Sequence, residues 1–160
     1  MFQRRKILLG LLEACGGKLK NTDMEKLLFL YCQDRQINYY DFFPHKYGCF
    51  SLLSYQDKRV LTSQRYLANI ESFELNRRIG KLAKPDSEEL AFIKAFVQKT
   101  KQLRGDSLVR HVYMRYPYFV IRSEIKDRVL SHNEQEEVRK HQPKVATRCL
   151  MTIGYEGLTI

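Results

Sequence analysis

Apolar residues recur at helical spacing three times before residue 64 and then switch to alternation, so the first half of the chain must supply three short helices followed by a strand. In Phe2 to Cys15 the stripe is Leu8, Leu11, Leu12 and Cys15, with Arg4, Arg5 and Lys6 off it, and Gly16-Gly17 ends the pattern. Thr22-Asp23-Met24-Glu25 has capping-box spacing, which predicts a second helix from there to about Asp34 with Met24, Leu27, Leu28 and Tyr31 inward. Asn38 to Ser51 is dense in aromatics and holds Pro44 and Gly48, so it reads as a packed, irregular connection. Ser51 then caps a third helix to about Ser63, with Leu53, Val60 and Leu61 inward and Ser54, Lys58, Arg59 and Thr62 outward. Phe73 and Leu75 alternate with polar neighbours as in a half-buried strand, and Tyr66 to Ile70 is its expected hairpin partner. Three helices and a small hairpin is the element order of a winged helix-turn-helix.

Beyond residue 84 the pattern is helical again. Pro85 marks a boundary before a helix capped by Asp86 or Ser87 with Leu90, Ile93, Phe96 and Val97 on its apolar face, and Gly105 to Tyr116 forms another that Pro117 stops. Ser123 is the expected cap of a further helix carrying Ile125, Val129 and Leu130, while His132 to Lys144 reads as a polar linker. The last stretch, residues 145–160, is an apolar strand-like run followed by the turn Gly154-Tyr155-Glu156-Gly157. The expected fold is therefore mostly α with a small β-hairpin: a winged-helix module over 1–84, a helical extension and linker over 85–144, and over 145–160 the first strand and turn of a second α/β domain cut short.

Lys and Arg exceed Asp and Glu by 28 to 18, a formal net charge of +10 that favours anionic partners, nucleic acid above all. Ser54, Lys58, Arg59, Thr62 and Arg65 are the candidates to enter a groove, with Arg77 and Arg78 extending the footprint along the backbone; a merely solvated helix face is the alternative for the same residues. Tyr113, Tyr116, Tyr118 and Phe119 are candidates for a protein-docking surface or self-association. The aromatics Tyr39, Tyr40, Phe42, Phe43, Tyr47 and Phe50 are read as core, with stacking on unpaired bases as the alternative.

No complete catalytic constellation is expected. Asp106, Ser107 and His111 are accounted for by a helix start and an exposed histidine, and Gly154-x-x-Gly157 lacks the lysine of a phosphate loop and reads as a turn. Cys15, Cys32, Cys49 and Cys149 stand far apart with no CxxC pair, and the four histidines do not complete zinc-ligand spacing, so reduced cysteines and neither metal nor cofactor are expected. The N-terminal apolar run is too short for a signal peptide or a membrane span, which places the protein in the cytoplasm without a membrane partner.

Three stretches carry a family likeness: Met24 to Cys32 (MEKLLFLYC), Phe43 to Ser51 (FPHKYGCFS) and Gly105 to Ser123 (GDSLVRHVYMRYPYFVIRS). Together they resemble the Panacea or SocA-type antitoxin-associated domain, with Cys49 where that family commonly has proline. The motif Met151-Thr152-Ile153-Gly154-Tyr155-Glu156-Gly157 resembles the opening of the domain-of-unknown-function 488 family. The first resemblance implies a regulatory role, in binding nucleic acid or a protein partner. The second implies that any chemistry of a longer protein lies in a domain beginning near Val145.

Overall fold

The computed structural model describes residues 1–76 and 84–143. Helix α1 (Gln3–Ala14) ends at the Gly16-Gly17 pair, whose positive φ values of 93° and 80° turn the chain into a two-residue strand, β1 (Lys18–Leu19). Helix α2 (Asn21–Arg35) follows and is the centre of the molecule: every residue from Asp23 to Cys32 is buried. A run such as Leu27-Leu28-Phe29-Leu30-Tyr31-Cys32, apolar all round, suits a helix enclosed by neighbours rather than one with a single inward stripe. The predicted capping box does not form. Lys20 occupies the N-cap with no side-chain cap, and Glu25 turns instead toward the residue that starts the third helix.

The aromatic connection is ordered as a tight hairpin, not irregular chain. Strands β2 (Phe43–His45) and β3 (Gly48–Phe50) pair antiparallel with His45 opposite Gly48 across Lys46 and Tyr47. Gly48 has φ 92°, and a Cβ there would lie 2.5 Å from Tyr113 Cε1, so glycine is required both by the turn and by the ring seated on it. Ser51 caps helix α3 (Leu52–Ser63) as the sequence predicts, accepting the Ser54 amide. Strand β4 (Phe73–Glu74) pairs with β1, and on its other side Leu67 bridges Leu75, so the expected hairpin is present in short form with β1 as an added edge.

Helix α4 (Ser87–Lys99), capped by Asp86, packs along α1. Gly10 in mid-α1 permits this: a Cβ there would come within 3.2 Å of Ile93 and 3.4 Å of Pro85. Helix α5 (Gly105–Arg115) packs along α2 and is stopped by Pro117, which opens a 3-10 turn to Val120. Phe29 of α2 is met edge-on by Phe42, Tyr116 and Phe119, and Tyr31 by Phe92 and Phe96, so the C-terminal helices and the N-terminal half share one apolar core. Helix α6 (Lys126–Val129) is a single turn that Ser123 does not cap. The supposed linker is helix α7 (His132–His141), opened by a capping box between Ser131 and Glu134 and held by buried Val138. No helix among the described residues is long and apolar enough to cross a membrane. The expected strand and turn over 145–160 lie outside the described residues.

Candidate interaction surface

Helix α3 presents a different face from the one its apolar residues predict. Its innermost stripe is Ser54, Asp57, Lys58 and Leu61, three of them polar, while Leu53 and Val60 are only half-buried. Each buried polar group has a partner elsewhere in the chain. Ser54 Oγ donates to the Ser51 carbonyl at 2.8 Å, and Lys58 Nζ donates to Asn21 Oδ1 at 2.6 Å while lying 4.5 Å above the Phe73 ring. Burial lowers the Lys58 pKa, opposed by the nearby carboxylates of Glu71 and Glu25. Thr62 Oγ1 donates back to the Lys58 carbonyl. Ser54 and Lys58 therefore cannot serve as groove-facing residues, because both are fully buried and hydrogen-bonded. The outward stripe of α3 is Leu52, Gln56, Arg59 and Ser63, continued by Arg65 with φ 62°. Arg77 and Arg78 lie outside the described residues.

The second expected surface is mostly core. Tyr113 is fully buried with its hydroxyl 2.7 Å from Ser123 Oγ, and Tyr116 and Phe119 pack on Phe29. Only Tyr118 of that group turns outward, at 48% exposure. Asp106 pairs with Arg128 and the Ser107 hydroxyl donates to the Arg104 carbonyl, so the residues near His111 are engaged as surface and helix-start contacts.

The aromatic segment, by contrast, is split by its strands. Tyr40 is buried, whereas Phe43 and Tyr47 are exposed, and Leu52 just after β3 is 62% exposed. From Phe43 a row of rings runs in contact: Phe43 to Phe50 at 5.5 Å, His45 stacked on Phe50 at 4.6 Å, and Phe50 to Tyr55 at 5.1 Å. Beside this row a cleft of about 330 Å³ opens between the hairpin and the start of α2, lined by Asn21, Glu25, His45, Tyr47, Phe50 and Tyr55 among others.

Glu25 is the charged group of the cleft. Only 5% exposed, it accepts the Ser51 amide at 3.3 Å. Burial pushes its pKa up to about 7, with Lys26 and Lys58 pulling the other way. Neither lysine is an ion-pair partner: Lys26 Nζ donates to the Cys49 carbonyl at 2.8 Å and Lys58 to Asn21. Burial and the Glu25 charge together push Tyr55 up to about 12. Reading the Thr22 to Glu25 spacing as a capping box hid Glu25, and reading all six aromatics as core hid Phe43 and Tyr47. The signal available was Pro44 and Gly48 flanking Lys46-Tyr47, a turn that makes neighbouring aromatics alternate between core and solvent.

No family model, curated relative or solved structure matches the chain.

Proposed function

We propose that this chain is a non-catalytic interaction module that docks a protein partner on the aromatic face of the β2-β3 hairpin and the adjoining cleft. The observation that carries this reading is exposed Phe43 at the end of a row of touching rings, with exposed Tyr47 on the cleft beside it. Large apolar side chains gathered on one exposed face are characteristic of binding sites, and aromatic anchors dominate the energetics of protein interfaces. The resemblance to an antitoxin-associated domain supports the same reading. The test is site-specific photocrosslinking in cells, with the crosslinker replacing Tyr47 or, as a control on helix α7, the exposed Lys140. A discrete adduct at position 47 that disappears with Phe43→Ser plus Leu52→Ser is the expected result. Crosslinking no stronger at 47 than at 140 overturns it.

A second reading, DNA binding by a winged helix, is favoured by the element order. The β1 strand pairs with the second strand of the hairpin after α3, as in winged helices, and the outward stripe of α3 still offers Gln56 and Arg59 on a chain of net charge +10. Burial of Lys58, with Arg4 and Arg5 tied to Asp57, removes three cations from its use. Duplex binding that falls steeply with salt and is lost in Arg59→Glu supports this second reading.

A further inference from the structure

We propose that the partner docked on the aromatic face presents an acidic segment, with an apolar side chain in the cleft between the β2-β3 hairpin and α2 and carboxylates against Arg59 and, beyond the end of α3, Arg65. This rests on the interaction-module reading and goes further in naming the partner's chemistry and its direction across the face. Leu52, Tyr55, Gln56 and Arg59 lie on one side of α3, since positions three, four and seven apart fall within about 100° around a helix. Leu52 and Arg59 are exposed there, and Tyr55 joins that side to the aromatic row through Phe50 at 5.1 Å. The only carboxylate on α3, Asp57, is buried on the inward side and held by Arg4 and Arg5. Arg59 and Arg65 are exposed and form no ion pair among the described residues.

The sign of the partner's charge follows from what is already neutralised. Inside the cleft Glu25 is acted on by Lys26 and Lys58, and Lys58 lies over the Tyr55 ring, so an incoming group meets ring surface rather than charge. The cleft of about 330 Å³ has room for one apolar side chain. Around it Glu124 faces Lys46 and Glu71 acts on Lys58, which leaves Arg59 and Arg65 in surplus. Asp41, exposed and two residues before Phe43, stands at the other end of the ring row, so the segment lies with its carboxylates toward α3 and away from β2. Tyr55, on the cleft, and Arg59 are one helical turn apart, about 6 Å along α3, which an extended segment covers in about two residues. A nucleic acid would need several phosphate contacts, whereas Arg4, Arg5 and Lys58 are engaged inside the fold and Phe43, Tyr47 and Leu52 offer apolar surface instead. Aromatic rings beside an unpaired arginine are the combination that anchors protein interfaces.

The probes are short peptides with one central leucine followed, two residues on, by a pair of glutamates, glutamines or lysines, titrated into the isotope-labelled full chain and followed by amide chemical shifts. Saturable shifts at Gly48, Phe50, Tyr55 and Arg59 are expected, with the glutamate peptide tighter than the glutamine peptide by about fivefold at low salt, the lysine peptide weaker than both, and the preference shrinking as salt is added. Arg59→Gln combined with Arg65→Gln, at two exposed positions, should abolish the preference for glutamate while leaving the glutamine peptide bound as before. Arg59→Lys keeps the charge and should keep the preference. Equal binding of the glutamate and glutamine peptides, tightest binding of the lysine peptide, no shift at the cleft with any peptide, or an unchanged preference in the double variant overturns the proposal. A duplex oligonucleotide that shifts Arg59 and the cleft when the peptides do not also overturns it, because the anion recognised is then a nucleic acid. The crosslink at position 47 is read independently: retained without a glutamate preference, it breaks this inference alone, and its absence breaks the interaction reading beneath.

Discussion

Two buried carboxylates, Asp57 on α3 and Glu25 on α2, are treated in opposite ways. Asp57 is 1% exposed and saturated: Arg4 Nε donates at 2.7 Å and Nη2 at 3.1 Å, Arg5 Nε at 2.6 Å and the Tyr40 hydroxyl at 3.2 Å. Asp57 in turn holds Arg4 charged, raising its pKa, and burial beside that carboxylate pushes Tyr40 well up. Glu25 has two lysines nearby, yet each is turned to another oxygen, and its own partner is the Ser51 amide. The difference separates a carboxylate neutralised by direct ion pairs from one whose lysines act only at a distance. Asp57 clamps the N-terminus of α1 onto α3, whereas Glu25 holds the Ser51 amide at the start of α3.

If that distinction holds, removing Asp57 has the largest effect. Asp57→Ala strands two guanidinium groups, the Tyr40 hydroxyl keeping the Arg4 carbonyl, and the loss is expected to be about 3 kcal/mol, read as a lower urea midpoint with unchanged slope. Gly48→Ala comes next, at about 2 kcal/mol, since the new methyl meets the Tyr113 ring in a backbone conformation that alanine avoids. Its chemical-shift changes should centre on the hairpin and Tyr113; changes spread around Asp57 would break the separation of the two regions.

Glu25→Gln is expected to act in the other direction. The unfolded carboxyl loses its proton near 4.5 and the folded one near 7, so between those values only the unfolded state is ionised and stability falls as pH rises. Gln removes that fall, and above neutral pH the variant should be more stable by about 1–3 kcal/mol, while in acid the two proteins should match. A destabilised Glu25→Gln protein at high pH would place Glu25 with Asp57 as a structural charge. The smallest effect is expected from Lys26→Met. It leaves the fold within about 1 kcal/mol, because losing one hydrogen bond is offset by relief from burying a charge, and it moves the Glu25 titration further up, which carboxyl NMR against pH would show.

Local signals carried much of the fold. The Gly16-Gly17 break, the Ser51 and Asp86 caps and the Pro117 stop act within a turn of their own helix, and the structure has all of them where the residues place them. The Ser131 to Glu134 capping box was equally local and was obscured by the polarity of its helix. The candidate site was legible only in fragments. Arg59 and Tyr118 turn outward as predicted, but Ser54, Lys58 and Tyr113 turn in, since apolar spacing on α3 is too sparse to set its rotation against buried polar partners.

By itself the sequence determined a mostly helical chain, the stops between its helices, the alternation that makes a short hairpin, and a surplus of positive charge. Each of these depends on neighbours a few residues apart. Tertiary structure alone decided which polar side chains are used up and which remain available. Lys58 is buried because Asn21 stands 37 residues away to receive it, Asp57 because Arg4 reaches it across 53, and Glu25 stays without a direct counter-ion because Lys26 finds the Cys49 carbonyl first. A charged group in low dielectric is settled by the partner within about 3 Å, and that partner is a property of the packed chain rather than of any segment of it.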